Sequence, residues 1–163
     1  MAILEDDNRF GGCEADVTAI ERAALDYMEG WFTGDPVRMR RALHPDLAKR
    51  CLCYEADGEE ANGEFYLSNA EQLVRQTAEG GETNWSDAPY DPERGRNNFD
   101  VKVFEIFGDV ASARVWSQAY VEYLHLGNFG EAGWKIVNIL YGHTQGKAPI
   151  EEWRKTDFAY WAP

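Results

Sequence analysis

His44 is a candidate for proton transfer, because an imidazole changes its charge near neutral pH. It stands at the end of a short predicted helix, and Asp46 follows two residues later. In one interpretation His44 moves a proton and the carboxylate of Asp46 orients its ring. In the other, His44 has a structural role and bonds a free carbonyl at the end of the helix. The residue types alone allow both interpretations.

Four polar side chains on predicted strands are considered as cavity residues. Lys49 and Arg50 point to opposite faces of the first strand, so one of them can meet an anionic group inside the fold while the other is solvated. His125 lies on a later strand, where it faces either the same cavity or solvent. Asn138 interrupts an apolar row, and it is either a hydrogen-bond donor in the cavity or a bonded core amide.

Cys51 and Cys53 lie two residues apart on a predicted strand, so their thiols share one face. They are either a redox pair, soft metal ligands, or free thiols packed in the core, which is the usual role of free cysteine. A structural zinc site needs four ligands, and the three histidines of the chain do not show a metal-ligand spacing. We therefore expect free thiols and no metal.

The composition narrows the classes of partner. The chain has 163 residues and a formal net charge of −13, which argues against binding nucleic acid or an anionic membrane surface. No apolar run reaches the ~20 residues of a membrane helix, and the acidic first residues do not form a signal peptide. An odd count of three cysteines fits a reducing compartment. We expect a cytoplasmic domain with no nucleic-acid or membrane partner.

The helices that carry these residues are set by local signals. Apolar residues recur at three- and four-residue steps over 16–32, which predicts an amphipathic helix that Gly34 ends. Asp35 and Pro36 then predict the start of a second, short helix, because Asp caps free amides and Pro is tolerated in the first turn. His44 precedes a proline, so this helix should end there.

A third helix is predicted over 69–79, because Ser68 and Glu71 form a capping box. The following stretch, 82–98, shows no periodicity and contains two prolines and one glycine. A segment of this kind is predicted to be a long loop, and long loops are usually functional or mobile.

The remaining elements are predicted strands. Two early strands cover 47–54 and 64–67, and three long ones cover 99–107, 110–126 and 134–141. Helices grouped apart from antiparallel strands indicate an α+β domain. We predict an N-terminal arm over 1–13, one domain over 14–143 and an aromatic tail over 144–163.

The strand over 110–126 has two possible orientations. Its large side chains alternate with small ones, and the row of large ones suits a dimer interface, where Trp, Tyr and Arg are favoured. In that orientation Tyr123 and His125 face the helices. A bulge would exchange the faces and bring Trp116 and Tyr120 inside instead. The row of large side chains comprises Arg114, Trp116, Gln118, Tyr120 and Glu122.

The order of these motifs resembles the nuclear transport factor 2-like (NTF2-like) superfamily. The motifs are a helix, the Gly-Asp pair at 34–35, a short helix, Leu-His-Pro-Asp at 43–46, and a late Gly-Trp-Lys-Ile-Val at 133–137. The Tyr-Leu-His-Leu segment at 123–126 is similar to a bacterial branch described as "putative lumazine-binding". The resemblance covers about residues 14–142.

The resemblance implies a cone in which three N-terminal helices close over a strongly curved, mixed and mainly antiparallel sheet, the cystatin-like α+β roll. It also implies a pocket inside the cone and homodimers through the outer sheet face. Members include ketosteroid isomerases, polyketide cyclases, dehydratases, epoxide hydrolases and non-catalytic binding modules. The fold alone therefore does not set the chemistry.

One family role carries over by position. In ketosteroid isomerases a tyrosine eight residues before the Asp of the Gly-Asp pair donates to the substrate oxyanion, and Tyr27 stands there. Their general base falls at Cys51 and their second oxyanion acid near Ala119, and neither position is a carboxylate. Proton transfer of the steroid type by that route is therefore not expected.

The function expected from these observations is acid/base chemistry on a small, partly apolar organic molecule without a cofactor, of the isomerase, dehydratase, lyase or cyclase type. His44 would move the proton, Asp46 would orient it, and Tyr27 would polarise an oxygen. The alternatives are a ligand-binding module without turnover and a dimeric interaction domain with a filled cone. The expected pocket residues are Trp31, Lys49, Cys51, Trp116, Tyr120, Tyr123, His125 and Asn138.

Overall fold

A computed structural model describes residues 12–54, 61–84 and 90–143. Most of the predicted N-terminal arm and the whole predicted aromatic tail lie outside the described residues. The side chain of Cys53, the second thiol of the predicted pair, lies outside them as well.

The helices begin and end close to the predicted positions, because their signals are local. α1 ends at Gly34, which takes the left-handed conformation with φ 68°. Asp35 caps α2 by accepting hydrogen bonds from the backbone N–H groups of Val37 and Arg38, at 2.9 and 3.1 Å. The three helices are α1 (Glu14–Thr33), α2 (Pro36–Ala42) and α3 (Ala70–Ala78).

The capping box of α3 lies one residue later than predicted. Asn69 and Gln72 form it, and each side chain accepts a backbone hydrogen bond from the other residue at 3.0 Å. Ser68 remains in the preceding strand opposite Lys49. Its hydroxyl therefore faces the inside of the fold and does not cap the helix.

The strands form one six-stranded mixed sheet in the order β2-β1-β6-β5-β4-β3. Only β1 and β6 pair in parallel; the other neighbours are antiparallel. Register shifts interrupt four of the five pairings, and such irregularities bend and twist a sheet. The strands are β1 (Leu43–Tyr54), β2 (Ala61–Asn69), β3 (Asp100–Phe107), β4 (Val110–Trp116), β5 (Tyr120–Asn128) and β6 (Trp134–His143).

The core lies between the helices and the inner face of this sheet. Ile20, Met28 and Met39 from the helices are fully buried, as are Leu124 and Ile136 from the strands. Burying a side chain of this size contributes about 2 kcal/mol. The arrangement confirms the predicted cone-shaped α+β fold.

The single strand predicted over 110–126 is wrong: the chain reverses direction after Trp116, and β4 and β5 pair with each other. Ser117 makes the turn, since its hydroxyl oxygen accepts the N–H of Tyr120 at 2.9 Å and its own N–H bonds the Tyr120 carbonyl at 2.8 Å. Neither Gly nor Pro marks this turn, so the usual sequence signal is missing.

This turn changes which residues point to the inner face: odd-numbered residues do so on β4 and even-numbered residues on β5. Ala113 and Val115 point inward on β4, and Tyr120 and Glu122 point inward on β5. Side chains of the predicted dimer row are therefore divided between the two faces. Arg114 and Trp116 stay on the outer face, and Gln118 and Tyr120 are buried.

A bulge moves Asn138 to the outer face. Ile136 and Ile139 are both fully buried, so one extra residue separates two inward positions. Asn138 bonds Arg50 at 2.9 Å and His125 at 3.2 Å on the outside of the sheet. This position differs from the predicted inner row of the last strand.

The segment predicted as a structureless loop over 82–98 is partly ordered in its described portion. It contains short 3₁₀ turns at Gly81–Asn84 and Gly95–Asn98. Tyr90 packs against Phe32 and Phe99, with ring centroids 6.0 and 6.2 Å away. This part of the segment closes one side of the core.

Candidate functional site

A cavity of about 300 Å³ opens between the inner face of the sheet and the helices α1 and α3. Its volume is at the lower end of the range for small-molecule sites. Both aromatic and polar side chains form its walls. The lining residues are Trp31, Lys49, Cys51, Leu52, Tyr66, Ser68, Leu73, Gln76, Tyr120, Tyr141 and His143.

Strand register places the polar groups of β1 in this cavity. Lys49 lies opposite Ser68 on β2, and Cys51 lies opposite Tyr66 on β2 and Tyr141 on β6. Because side chains alternate along a strand, Lys49 and Cys51 share the inner face. Arg50, the other basic residue considered from the sequence, points outward to Asn138.

Lys49 is the central group of the site, and its side chain is only 11% exposed. Its ammonium donates to the hydroxyl oxygen of Tyr27 and to Oε1 of Glu122, the latter at 3.2 Å. The ring of Tyr141 lies 4.2 Å from Nζ, which adds a cation–π contact. Tyr27, Glu122 and the Tyr141 ring therefore hold the ammonium in place, while the Lys49 side chain still lines the cavity.

Tyr27 supports Lys49 from α1. It is almost completely buried and is not among the side chains that line the cavity. Burial, and next the nearby Glu122 carboxylate, raise the pKa of Tyr27 well above its ordinary value. Tyr27 therefore stays protonated and neutral, and it accepts a hydrogen bond from the ammonium.

Glu122 is the buried counter-ion of Lys49, with a side chain 1% exposed. Oε1 accepts the bond from Lys49, while Oε2 is buried and has no hydrogen-bond partner among the described residues. Sequence reasoning missed Glu122, because the row of large side chains on the predicted long strand pointed outward. The turn after Trp116 reverses that direction.

Glu82 is a second buried carboxylate beside the cavity. It accepts hydrogen bonds from Nε1 of Trp31 and from the hydroxyl of Tyr120, the latter at 2.9 Å. Burial, and next Glu82, raise the pKa of Tyr120, so its hydroxyl remains a donor. Gly81 allows this close packing, since a Cβ there would stand 2.0 Å from the Trp31 carbonyl oxygen.

His143 ends β6 at the mouth of the cavity. Its ring centroid lies 5.2 Å from that of Tyr120 and 5.9 Å from that of Tyr141. His143 is exposed to solvent on one side, but the protein atoms packed around its ring, and next the charge of Lys49, lower the pKa of His143 below its ordinary value. Its imidazole is therefore neutral at pH 7, the form in which it can accept a proton.

Sequence reasoning missed His143, because the last strand was predicted to end at Tyr141. The strand continues for two residues. Alternation from Tyr141 then puts His143 on the same inner face. The two-residue spacing between Tyr141 and His143 is the sequence signal that would have indicated this position.

Comparison with known proteins places the chain in a family. A family profile described as "Putative lumazine-binding" matches residues 15–142. The chain belongs to this family. A comparison with curated proteins gives no match.

Solved structures show the same fold. An NTF2-like protein of unknown function from Shewanella baltica OS155 is 16% identical, with a TM-score of 0.55 over 82% of this chain and 98% of that one. Similar proteins from Methylobacillus flagellatus KT (19% identical, TM-score 0.52, 81% and 94% covered) and Silicibacter pomeroyi DSS-3 (17%, 0.52, 79% and 93%) also match. The predicted NTF2-like resemblance is confirmed.

In this member of the lumazine-binding family, the predicted catalytic pair of His44 and Tyr27 does not meet in the cavity. His44 stacks on Phe129 at 4.4 Å, near the start of β1. It precedes Lys49 by five residues, across the register shift between Leu43 and Ala48, and it is not among the side chains that line the cavity. Its Nδ1 accepts the N–H of Asp46 at 3.1 Å, but the Asp46 carboxylate is 93% exposed. His44 and Asp46 therefore lie together outside the cavity.

The eight predicted pocket residues are divided between the two faces of the sheet. The exchange of faces at Ser117 and the bulge in β6 account for the division. Trp31, Lys49, Cys51 and Tyr120 line the cavity, while Trp116, Tyr123, His125 and Asn138 lie on the outer face.

Within the described ranges, no cluster of three or more His, Cys, Asp or Glu side chains is arranged to hold a metal ion. In the same ranges, no helix has the length and apolar character needed to cross a bilayer.

Proposed function

We propose that the chain binds a small, partly apolar organic molecule in the 300 Å³ cavity and moves a proton on it by acid/base chemistry, without a cofactor. The observation that supports this proposal is that the Lys49 ammonium and the His143 imidazole face one cavity. Both approach the rings of Tyr120 and Tyr141 within 6 Å. The family description, lumazine-binding, also favours a small-molecule ligand.

In this proposal His143 is the base and Lys49 is the electrophile. A C–H bond next to a ligand carbonyl breaks, its proton passes to the His143 imidazole, and the electron pair moves to the carbonyl oxygen. An N–H of Lys49 bonds the oxygen as it becomes negative, which lowers the barrier. Return of the proton to another carbon gives an isomerase, and loss of a neighbouring leaving group gives a lyase or dehydratase.

Tyr27 keeps a role here, but as a positioning residue. It touches the ammonium from the side away from the cavity and holds it together with Glu122. His44 and Asp46 take no part in this proposal.

A ligand-binding module without turnover is the second candidate. The buried Lys49–Glu122 pair favours it, because a buried ion pair of this kind is also found as a purely structural feature. Both candidates use the same cavity, so turnover separates them.

Exchange of α-protons in D₂O separates the two candidates without knowledge of the natural substrate. Small ketones are incubated with the protein, and NMR follows both their binding and the loss of their α-proton signal. Lumazine, which has no α-proton, is tested for binding alone. We expect exchange with the wild type. His143→Gln should slow it by ~10²–10⁴ and Lys49→Met by ~10²–10³.

The matched control is His44→Ala, which should leave exchange unchanged because His44 does not line the cavity. Binding without exchange supports the ligand-binding module. The whole proposal fails if no compound binds, or if bound compounds are insensitive to both cavity substitutions.

We further propose that two copies pair through the outer sheet face. Side chains of five neighbouring strands form a row there that combines three apolar or aromatic residues with two arginines. Tyr123 in this row is 51% exposed, and a twofold axis would place the row against its own copy. The row comprises Leu67, Arg50, Leu140, Tyr123 and Arg114.

A further inference from the structure

We propose that the cavity selects neutral carbonyl compounds with a flat, unsaturated body and rejects small organic anions. The proposal rests on the proposed function and names its substrate class. It follows from the hydrogen bonds and charges around Lys49, and from the aromatic walls.

The hydrogen bonds of Lys49 leave room for one ligand oxygen. An ammonium has three N–H donors. One is used by Tyr27 and one by Glu122. Because Lys49 lines the cavity, its remaining donor can bond a single carbonyl oxygen there.

The charges around the cavity do not favour an anion. Glu122 already neutralises Lys49, and Glu82 adds a second buried carboxylate behind Trp31 and Tyr120. His143 carries no charge at pH 7. An entering carboxylate or phosphate would meet an ammonium whose charge Glu122 already balances, and the Glu122 carboxylate beside it would repel the anion.

A neutral carbonyl avoids this repulsion. Its oxygen accepts the remaining N–H of Lys49 without adding a charge, and it becomes negative only when a neighbouring proton leaves. The proton then resides on His143, so the total charge of the site does not change. The ion pair of Lys49 and Glu122 therefore suits a reaction in which a negative charge on the ligand oxygen and a positive charge on His143 form together for a short time.

The walls favour a flat body. The rings of Trp31, Tyr66, Tyr120 and Tyr141 line the cavity. Aromatic rings pack well against each other in offset or edge-to-face arrangements. An unsaturated ring system can use these faces.

Two probes that share one ring system test the charge preference. 2-Acetylnaphthalene is neutral and carries a carbonyl, and 2-naphthoate is an anion at pH 7.5. NMR titration of the wild type should give binding of the neutral probe that is at least about tenfold tighter. Replacement Glu122→Gln should move the ratio toward naphthoate by at least about tenfold, because Lys49 then lacks its counter-ion.

The control is Glu131→Gln, an exposed residue in the turn between β5 and β6, which should not change the ratio. Circular dichroism checks that Glu122→Gln folds; where it does not, the wild-type ratio alone decides. If naphthoate binds as tightly as the neutral probe, the inference is overturned while the proposed function stands. A ratio that the folded Glu122→Gln variant leaves unchanged also overturns it. Binding of neither probe removes both the inference and the proposed function.

Discussion

Lys49 shows how one residue gains its character from groups distant in the chain. Its ammonium is paired with a glutamate 73 residues later and with a tyrosine 22 residues earlier. It faces the cavity because side chains alternate between the two faces of β1. From the sequence, Lys49 was considered as a group that meets an anion; the structure shows that the chain supplies that anion itself, as Glu122.

His143 carries the pH dependence expected of the site. Its pKa is lowered in the folded protein, so the folded state binds a proton less readily than the unfolded state. As pH falls below about 6.5, the unfolded state gains the proton first and stability decreases. The decrease ends once pH lies below the folded pKa.

We therefore expect the wild type to lose more stability than His143→Gln between pH 7.5 and pH 5, measured by urea denaturation. Proton exchange should decline over the same acid range, with a midpoint below about 6.5. A midpoint above that value, or equal losses in the two proteins, would contradict the assignment of His143 as a neutral base.

At the scale of elements, Asp26 fastens α2 to α1. Its buried carboxylate accepts two hydrogen bonds from Arg41, at 2.6 and 2.7 Å, and one from Arg38 at 3.1 Å. Burial alone would raise the pKa of Asp26, but the bonds from Arg41 and Arg38 outweigh it, and the pKa is lowered. Because α2 leads directly into β1, we expect this contact to help position the strand that carries Lys49.

Replacement Asp26→Ala should lower the free energy of unfolding by about 2 kcal/mol at pH 7, since it removes the hydrogen bonds from Arg41 and Arg38 to a buried carboxylate. The stabilisation from a carboxylate with a lowered pKa is complete above the unfolded pKa and is lost as pH falls through the folded one. The difference between the variant and the wild type should therefore shrink below about pH 4. The exposed Asp46→Ala is the control; a loss of stability equal to that of Asp26→Ala would refute the role of this contact.

At the scale of the whole molecule, the outer sheet face is the surface through which we expect two copies to pair. The mass of one chain is 18.5 kDa, and light scattering at micromolar concentration should give about twice that value. Tyr123→Glu should convert the dimer to monomers, because it places a charge at the centre of the row. Val37→Glu, exposed on α2 away from the sheet, should not. A wild-type monomer across the whole concentration range would exclude this interface.

The sequence by itself determined the features whose causes are local. Gly34, Asp35 and Pro36 mark the boundary between α1 and α2, because a left-handed cap and an N-cap need only their own neighbours. The order of motifs also predicted the NTF2-like fold, and the boundary between the predicted strands 99–107 and 110–126 coincides with the turn that joins β3 and β4.

The tertiary structure decided which side chains face the cavity. Alternation predicts a face only between two interruptions of a strand, and a shift of one residue exchanges every face beyond it. The turn at Ser117 and the bulge before Ile139 are two such interruptions, and neither carries a glycine or proline signal. They bring Glu122 and His143 inward, so the site depends on pairing between distant strands that local sequence does not encode.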